Sequence, residues 1–222
     1  MQDLFAEHDQ PIAIAPGAWL LKGYATEHAP ELLSLINSIA DQSPFRQHLT
    51  PGGHRMSSAQ TGCGTASWVS DRRGYRYDRL DPETGQPWPA LPDSFTRLAS
   101  QAAADAGYAD FLPDVCLINR YTTGSRMGLH QDKDEADFSA PIVSVSLGAD
   151  MTFLFGGQQR QARPDRWLLK HGDVVVWGGP SRLHFHGVAP LGKRASHPLT
   201  GAMRYNLTFR RAFRNTRPAY PA

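Results

Sequence analysis

Apolar residues recur at Leu32, Leu33, Leu35, Ile36 and Ile39 within APELLSLINSIADQSPF, the spacing of one helix face, and Pro44 closes the run. A second helical period runs through SFTRLASQAAADAGY, with Ser94 placed as its N-cap and Gly107 at its end. Between the two, from Thr50 to Asp93, periodicity disappears. TPGG, DRRGYRYD and DPETGQPWPALP are turn-rich pieces separated by short aromatic stretches, which predicts an extended, loop-rich flap. After Pro113 the pattern shortens to period two. VCLINRY, GLHQDKD, IVSVSLG, MTFLFGG, WLLKHGDVVVWGG, RLHFHGV and RYNLTFRRAF alternate between Gly-rich turns. The prediction is a mainly β architecture with flanking helices, a sandwich or barrel of the jelly-roll type. The tail RNTRPAYPA has no periodicity and is expected to be loose.

Composition changes this picture little. The 222 residues suffice for one compact unit with a full core, and 20 Gly with 17 Pro favour turns over long helices. Cys63 and Cys116 are too few for a disulfide framework and lack the pairing of a zinc knuckle, so they are read as small apolar residues in a reducing cytoplasm. The opening MQDLFAEHDQP carries acid where a signal peptide carries Lys or Arg, and no apolar run approaches bilayer length; neither secretion nor a membrane partner is expected. A net charge of +2 is too mild to announce a nucleic-acid binder. Its distribution says more, because six arginines stand against two aspartates between Phe45 and Arg79.

The candidate chemistry begins at GLHQDKDE. If LHQD is extended, His130 and Asp132 point to one side and can reach one metal ion. A histidine from a distant strand would complete a set of two imidazoles and one carboxylate. That set leaves positions open on an octahedral ion and suits iron(II) with an oxidant and a chelating cosubstrate. His184 and His186 share a face and both qualify by spacing; Gly187, which permits close backbone approach, favours His186. An isolated His-x-Asp is common, so weight falls on RYNLTFR, where Arg204, Asn206, Thr208 and Arg210 share one face. Two guanidinium groups turned into a barrel call for an anion such as a dicarboxylate beside the metal. The plainer alternative is an edge strand with a solvated basic face.

NRY, LHQDKDE, IVSVSLG, HGDVVVWGG, RLHFHGV and RYNLTFR, in this order, resemble the AlkB family of iron(II)- and 2-oxoglutarate-dependent dioxygenases. SPFRQ, TPGG, the segment of Trp68 and GYRY, and DPETGQPWPALP resemble the nucleotide-recognition lid of bacterial members, so the likeness spans roughly Pro11 to Phe213. It implies iron held by His130, Asp132 and His186, with 2-oxoglutarate and O2 as cosubstrates. The implied 2-oxoglutarate pocket contains Asn119, Tyr121, Arg204, Asn206 and Arg210, with Arg204 on the distal carboxylate and Arg210 nearer the chelating end. The implied organisation is an N-terminal extension and helix (1–43), the lid (44–93), a double-stranded β-helix or jelly-roll core (94–213) and a flexible tail (214–222).

In the family's chemistry an N-methyl group is hydroxylated, the hemiaminal loses formaldehyde, and succinate and CO2 are the coproducts. Methylation at N1 of adenine or N3 of cytosine leaves a fixed positive charge. Such a base gains from stacking on Trp68 or Tyr75 and from a carboxylate such as Asp134. Tyr77 and Arg160 complete the implied substrate contacts. Without the resemblance, Trp68 and Tyr75 read as a small lid core, Asp134 as a solvated acidic turn, and Arg160 as a loop arginine. Gln60, His54 and Arg126 depart in kind from the bacterial members. The expected function is repair of alkylated DNA by a monomer, single strands first and duplexes also, with RNA left open. The alternatives are a hydroxylase of modified tRNA and a non-catalytic nucleic-acid-binding module with a structural metal.

Overall fold

The computed structural model describes residues 10–213, so the tail expected to be loose lies outside the described residues. Among them the chain begins with strands β1 (Ile12–Ala15) and β2 (Ala18–Leu21), helix α1 (Ala29–Gln42), and strands β3 (Ala59–Gly64), β4 (Ser67–Asp71) and β5 (Gly74–Asp78). Helix α2 (Asp93–Asp105) leads into β6 (Val115–Tyr121), β7 (Met127–His130), β8 (Ile142–Gly148) and β9 (Met151–Phe155). The chain continues through β10 (Asp165–Leu169), β11 (Val174–Trp177), β12 (His186–Val188) and β13 (Arg204–Arg210). Seven strands form one sheet in the order β1-β2-β11-β8-β13-β6-β3, and four form another in the order β10-β9-β12-β7. The pairings are antiparallel and the two sheets make a jelly roll.

Period-two alternation explains why the large sheet is buried on both faces. Tyr205, Leu207 and Phe209 of β13 join Ile118, Val143, Val145, Val174 and Val176 in a core that α1 and α2 cover with Leu32, Ile36, Phe95 and Ala99. Positions one residue along point the other way. Ile142, Val175 and Trp177 meet Phe153 and Phe155 of the small sheet in a second core. Cys63 and Cys116, both free and buried, face each other across β3 and β6. Phe209 is fully buried and meets Phe95 edge-on at 5.7 Å between ring centroids. Phe209→Ala should therefore lower stability by about 3–5 kcal/mol, read from urea unfolding; a loss below about 1 kcal/mol would contradict the packing.

Helix α1 follows the expected stripe, burying Leu32, Ile36 and Ile39 before Ser43 caps its end. Helix α2 corrects one expectation: Pro92, in an extended conformation, is its N-cap, and no side chain caps it. The Ser94 hydroxyl instead binds Glu31 and ties α2 to α1. At the other end, Tyr108 N–H returns to Ala103 O at 2.8 Å and Gly107 N–H to Ala104 O at 2.9 Å, which closes the helix as anticipated.

The flap is more ordered than its turn residues suggest. β3 lies within it and pairs along its whole length with β6, while β4 and β5 form a separate two-stranded hairpin. The glycines of TGCG mark close packing rather than a turn: a Cβ on Gly64 would come within 2.3 Å of Asp114 O. Among the described residues no helix is long and apolar enough to cross a membrane.

Candidate active site

β7 and β12 are neighbours in the small sheet, and their register sets His130 directly opposite His186. The strands approach closely because residue 187 is glycine; a Cβ there would stand 2.6 Å from Met127 O. β7 ends at His130, so Asp132 is not the next same-face residue of a strand, as the extended reading of LHQD required. The chain turns after His130, and Asp132 still reaches back: its Oδ1 lies 3.7 Å from His130 Nε2 and 3.9 Å from His186 Nε2. One donor atom from each residue falls within 4.8 Å of the others. His184 stays out of this group. It precedes β12, its N–H closes a turn onto Ser181 O, and its ring packs against Phe155.

Hydrogen bonds select the imidazole tautomers. His130 Nδ1–H donates to Gly128 O at 2.9 Å and His186 Nδ1–H to His184 O at 3.0 Å. A carbonyl can only accept, so each Nε2 keeps its lone pair facing Asp132. Burial, joined by the neighbouring His130, lowers the His186 pKa to about 4, which keeps this ring neutral near pH 7. Burial alone would raise the Asp132 carboxyl, but the Arg210 charge and the two histidines outweigh it and hold it well below the usual carboxylate range. Arg210 donates to Asp132 Oδ2 through Nε at 2.8 Å and Nη2 at 2.7 Å. A neutral imidazole and an ionised carboxylate are the forms that ligate a metal, so the donor set fits a divalent cation such as iron(II).

A row of polar side chains on the large sheet accompanies these donors. Cross-strand register places Gln60, Asn119, Asn206 and Ser146 in one row across the large sheet, with Arg204 and Tyr121 in the next. Arg204 is 1% exposed, donates through Nη2 to Ser146 Oγ at 2.6 Å, and leaves its Nε without a partner. Among the described residues no carboxylate pairs with it, and burial lowers its pKa to about 10. An unpaired buried guanidinium is costly unless an anion completes it. Arg210 Nη1 is likewise unpartnered. The basic face of β13 is therefore buried, not the solvated edge of the plainer reading. Asn206 donates to Ser144 Oγ at 2.8 Å, while Tyr121 is buried with its phenol held protonated. These groups offer the donors that a small dicarboxylate requires.

Gln60 belongs to this polar row: it is buried and donates to Asn119 Oδ1 at 2.7 Å. His54 and Arg126 are exposed. Among the lid aromatics, Trp68 stacks on Tyr75 with centroids 5.4 Å apart and an interplanar angle of 16°, and its Nε1–H donates to Asp134 Oδ2 at 2.8 Å. Tyr77 turns inward and donates to Glu135 Oε1 at 2.6 Å. Arg160 stands exposed between β9 and β10, with no hydrogen bond to these groups. Sequence reasoning passed over two buried ions, Glu135 and Arg182, which pair at 3.0 Å. Glu135 sat inside the quoted DKDE run, where a cluster of acids gave no sign of which would be buried. Arg182 had no signal.

The chain matches the 2OG-Fe(II) oxygenase superfamily over residues 17–210. It is 56% identical over 215 residues to the alpha-ketoglutarate-dependent dioxygenase AlkB of Salmonella typhimurium, covering 96% of this chain and 98% of that one. The Escherichia coli protein of the same name is 55% identical with the same coverage. The solved structure of OsALKBH1 superposes with a TM-score of 0.79 at 28% identity, over 90% of this chain and 99% of that one. Near-full-length identity of this order, on a jelly roll whose two histidines and aspartate converge beside an unpaired arginine, places the chain in the AlkB family of Fe(II)- and 2-oxoglutarate-dependent dioxygenases.

Proposed function

We propose that this dioxygenase repairs alkylated nucleic acid by oxidative demethylation, acting on 1-methyladenine and 3-methylcytosine. Single-stranded DNA is the preferred substrate, with duplex DNA also used and RNA left open, and the enzyme works as a monomer. The observation that carries the reading is the stacked Trp68–Tyr75 pair hydrogen-bonded to Asp134, two residues beyond Asp132. An aromatic face next to a carboxylate favours a flat cationic base over a neutral one. Residues 44–93 act in this reading as the nucleotide-recognition lid over a core of 94–213, to which β1, β2 and β3 lend strands.

His130, Asp132 and His186 would hold iron(II), which with 2-oxoglutarate and O2 would supply hydroxylation of the N-methyl carbon, with succinate and CO2 as coproducts and formaldehyde lost from the resulting hemiaminal. The chain's own residues prepare the site. Arg210 keeps Asp132 ionised, and the carbonyls of Gly128 and His184 turn both Nε2 atoms inward. Arg204 receives the distal carboxylate through its free Nε, beside the protonated phenol of Tyr121. Asn119 accepts from Gln60 and so keeps its own amide hydrogens for the cosubstrate, with Asn206 alongside. Arg210 Nη1 serves the chelating end. The base stacks on one face of the Trp68–Tyr75 pair, because insertion between rings this close would force them apart. Tyr77 anchors the hairpin that carries them, and Arg160 reaches the substrate from the β9–β10 turn.

Extruding a base costs a few kcal/mol in a duplex and little in a single strand, hence the strand preference. Mass spectrometry of oligonucleotides carrying 1-methyladenine, incubated with protein, iron(II), 2-oxoglutarate and O2, tests the reading. Loss of the methyl group is expected, and an unchanged oligonucleotide with active 2-oxoglutarate turnover would point to another substrate. Trp68→Ala should weaken use of the methylated oligonucleotide by about 1–3 kcal/mol, roughly 5- to 150-fold, while sparing the slow uncoupled turnover of 2-oxoglutarate. Equal loss of both activities would assign Trp68 to folding. Binding should weaken with salt on a shallow slope, since few arginines are engaged.

A further inference from the structure

One buried arginine outside these roles joins the segment leading into β12 to the loop that carries Asp132. Arg182 is 3% exposed and lies just before β12, four residues ahead of His186. Each nitrogen of its guanidinium donates once: Nη1 to the main-chain O of Asp132 at 2.7 Å, Nε to Ala140 O at 2.9 Å, and Nη2 to Glu135 Oε2 at 3.0 Å. A single side chain from the His186 loop thus spans the Asp132 loop from residue 132 to residue 140.

These bonds close a circuit. Glu135 is 6% exposed, and its other oxygen lies 3.4 Å from Arg210 Nε. Arg210 holds the Asp132 carboxylate, and Arg182 holds the Asp132 carbonyl. Asp132 is therefore gripped at both ends by two arginines that share Glu135. Charge balances within the circuit, two cations against two anions. Stability alone does not require such an arrangement, because well-packed apolar residues often replace a buried ion pair at no cost. Fixed geometry does require it: β7 has already ended at His130, so no strand pairing orients the Asp132 backbone.

We propose that Arg182 is a positioning residue of the metal centre, holding the Asp132 carbonyl and the approach to β12 so that Asp132 Oδ1 meets the Nε2 atoms of His130 and His186. This rests on the iron-site reading above. Through Glu135 the same circuit meets Tyr77 of the lid hairpin, giving the lid a mechanical link to the donors.

Cobalt(II), titrated into the metal-free protein and followed by its visible ligand-field bands, separates the two claims. Loss of an outer partner typically weakens a metal site roughly 10- to 100-fold, so Arg182→Gln should lose that much cobalt affinity and show altered bands while its far-ultraviolet circular dichroism stays native. Arg182→Lys, which keeps the charge without the fork, should fall between. Combined with Glu135→Gln, the losses should be less than additive, because both act through one circuit. A wild-type protein that does not bind cobalt would sink the iron-site reading itself. Wild-type binding with a folded Arg182→Gln variant within twofold of it would overturn the positioning role alone. If Arg182→Gln does not fold, Arg182→Lys is judged by the same twofold limit.

Discussion

Alanine at His130 or His186 is expected to abolish demethylation while leaving the fold intact, measured as formaldehyde release beside circular dichroism. Each imidazole is one of three donors within 4.8 Å of one another, and no other histidine among the described residues joins that group. The loss should exceed the roughly 100-fold that removal of an outer partner costs, since a donor itself is gone. His184→Ala is the matched comparison: its ring lies against Phe155, outside the donor group, and activity should persist. Retained activity in His186→Ala with loss in His184→Ala would reverse the assignment. Asp132→Ala should differ from the histidine variants. It also strands the Arg210 guanidinium without its main partner, and breaking a buried pair costs about 3–5 kcal/mol of stability. Unfolding by urea should show that extra loss.

Arg204→Ala should weaken 2-oxoglutarate binding by about 2–5 kcal/mol, roughly 30-fold to several thousand-fold in Kd, with little change in affinity for an oligonucleotide. The guanidinium is 1% exposed, has an unpartnered Nε, and makes no ion-pair contact with a carboxylate among the described residues. Its Ser146 contact fixes the direction of the fork but leaves its charge unanswered. Truncation removes the charge-assisted bonds to the distal carboxylate while the metal donors stay in place. Separate calorimetric titrations of the two ligands check this, and an unchanged 2-oxoglutarate affinity would take Arg204 out of the pocket. Arg204→Lys should recover little, because a point charge on a flexible stem does not reproduce the planar fork.

The β4–β5 hairpin and the metal-donor loop are coupled more closely than the hairpin's separate sheet suggests. Trp68 and Tyr77 on the β4–β5 hairpin bind Asp134 and Glu135, which follow Asp132 on one loop. In the proposed reading, a base stacked on the hairpin would thereby be referenced to the loop that carries Asp132. Asp134, read without the resemblance as a solvated acid, is exposed but carries this indole contact.

What the sequence determined by itself is what a short window encodes. The 3.6-residue stripe of α1 and the two-residue alternation of β13 each state which side chains share a face, whatever the chain does elsewhere. RYNLTFR therefore announced Arg204, Asn206, Thr208 and Arg210 as one face and Tyr205, Leu207 and Phe209 as the other, and the sheet buries both. Only the tertiary structure decided what meets what. His184 and His186 are equivalent by spacing, and the difference arises because β12 starts at His186, in register with His130, across a contact that Gly187 allows. Asp132 reaches the donors from a turn, held there by Arg210 and Arg182 from segments 78 and 50 residues away. Gly62 and Gly64 stand in the segment expected to be a loop-rich flap yet lie in a paired strand, since a glycine that serves a bend and one that admits a neighbouring backbone look the same in sequence. Glu135 and Arg182 carried no local mark because burying an ion is a bargain between partners far apart in the chain, and periodicity within one segment holds no information about the partner.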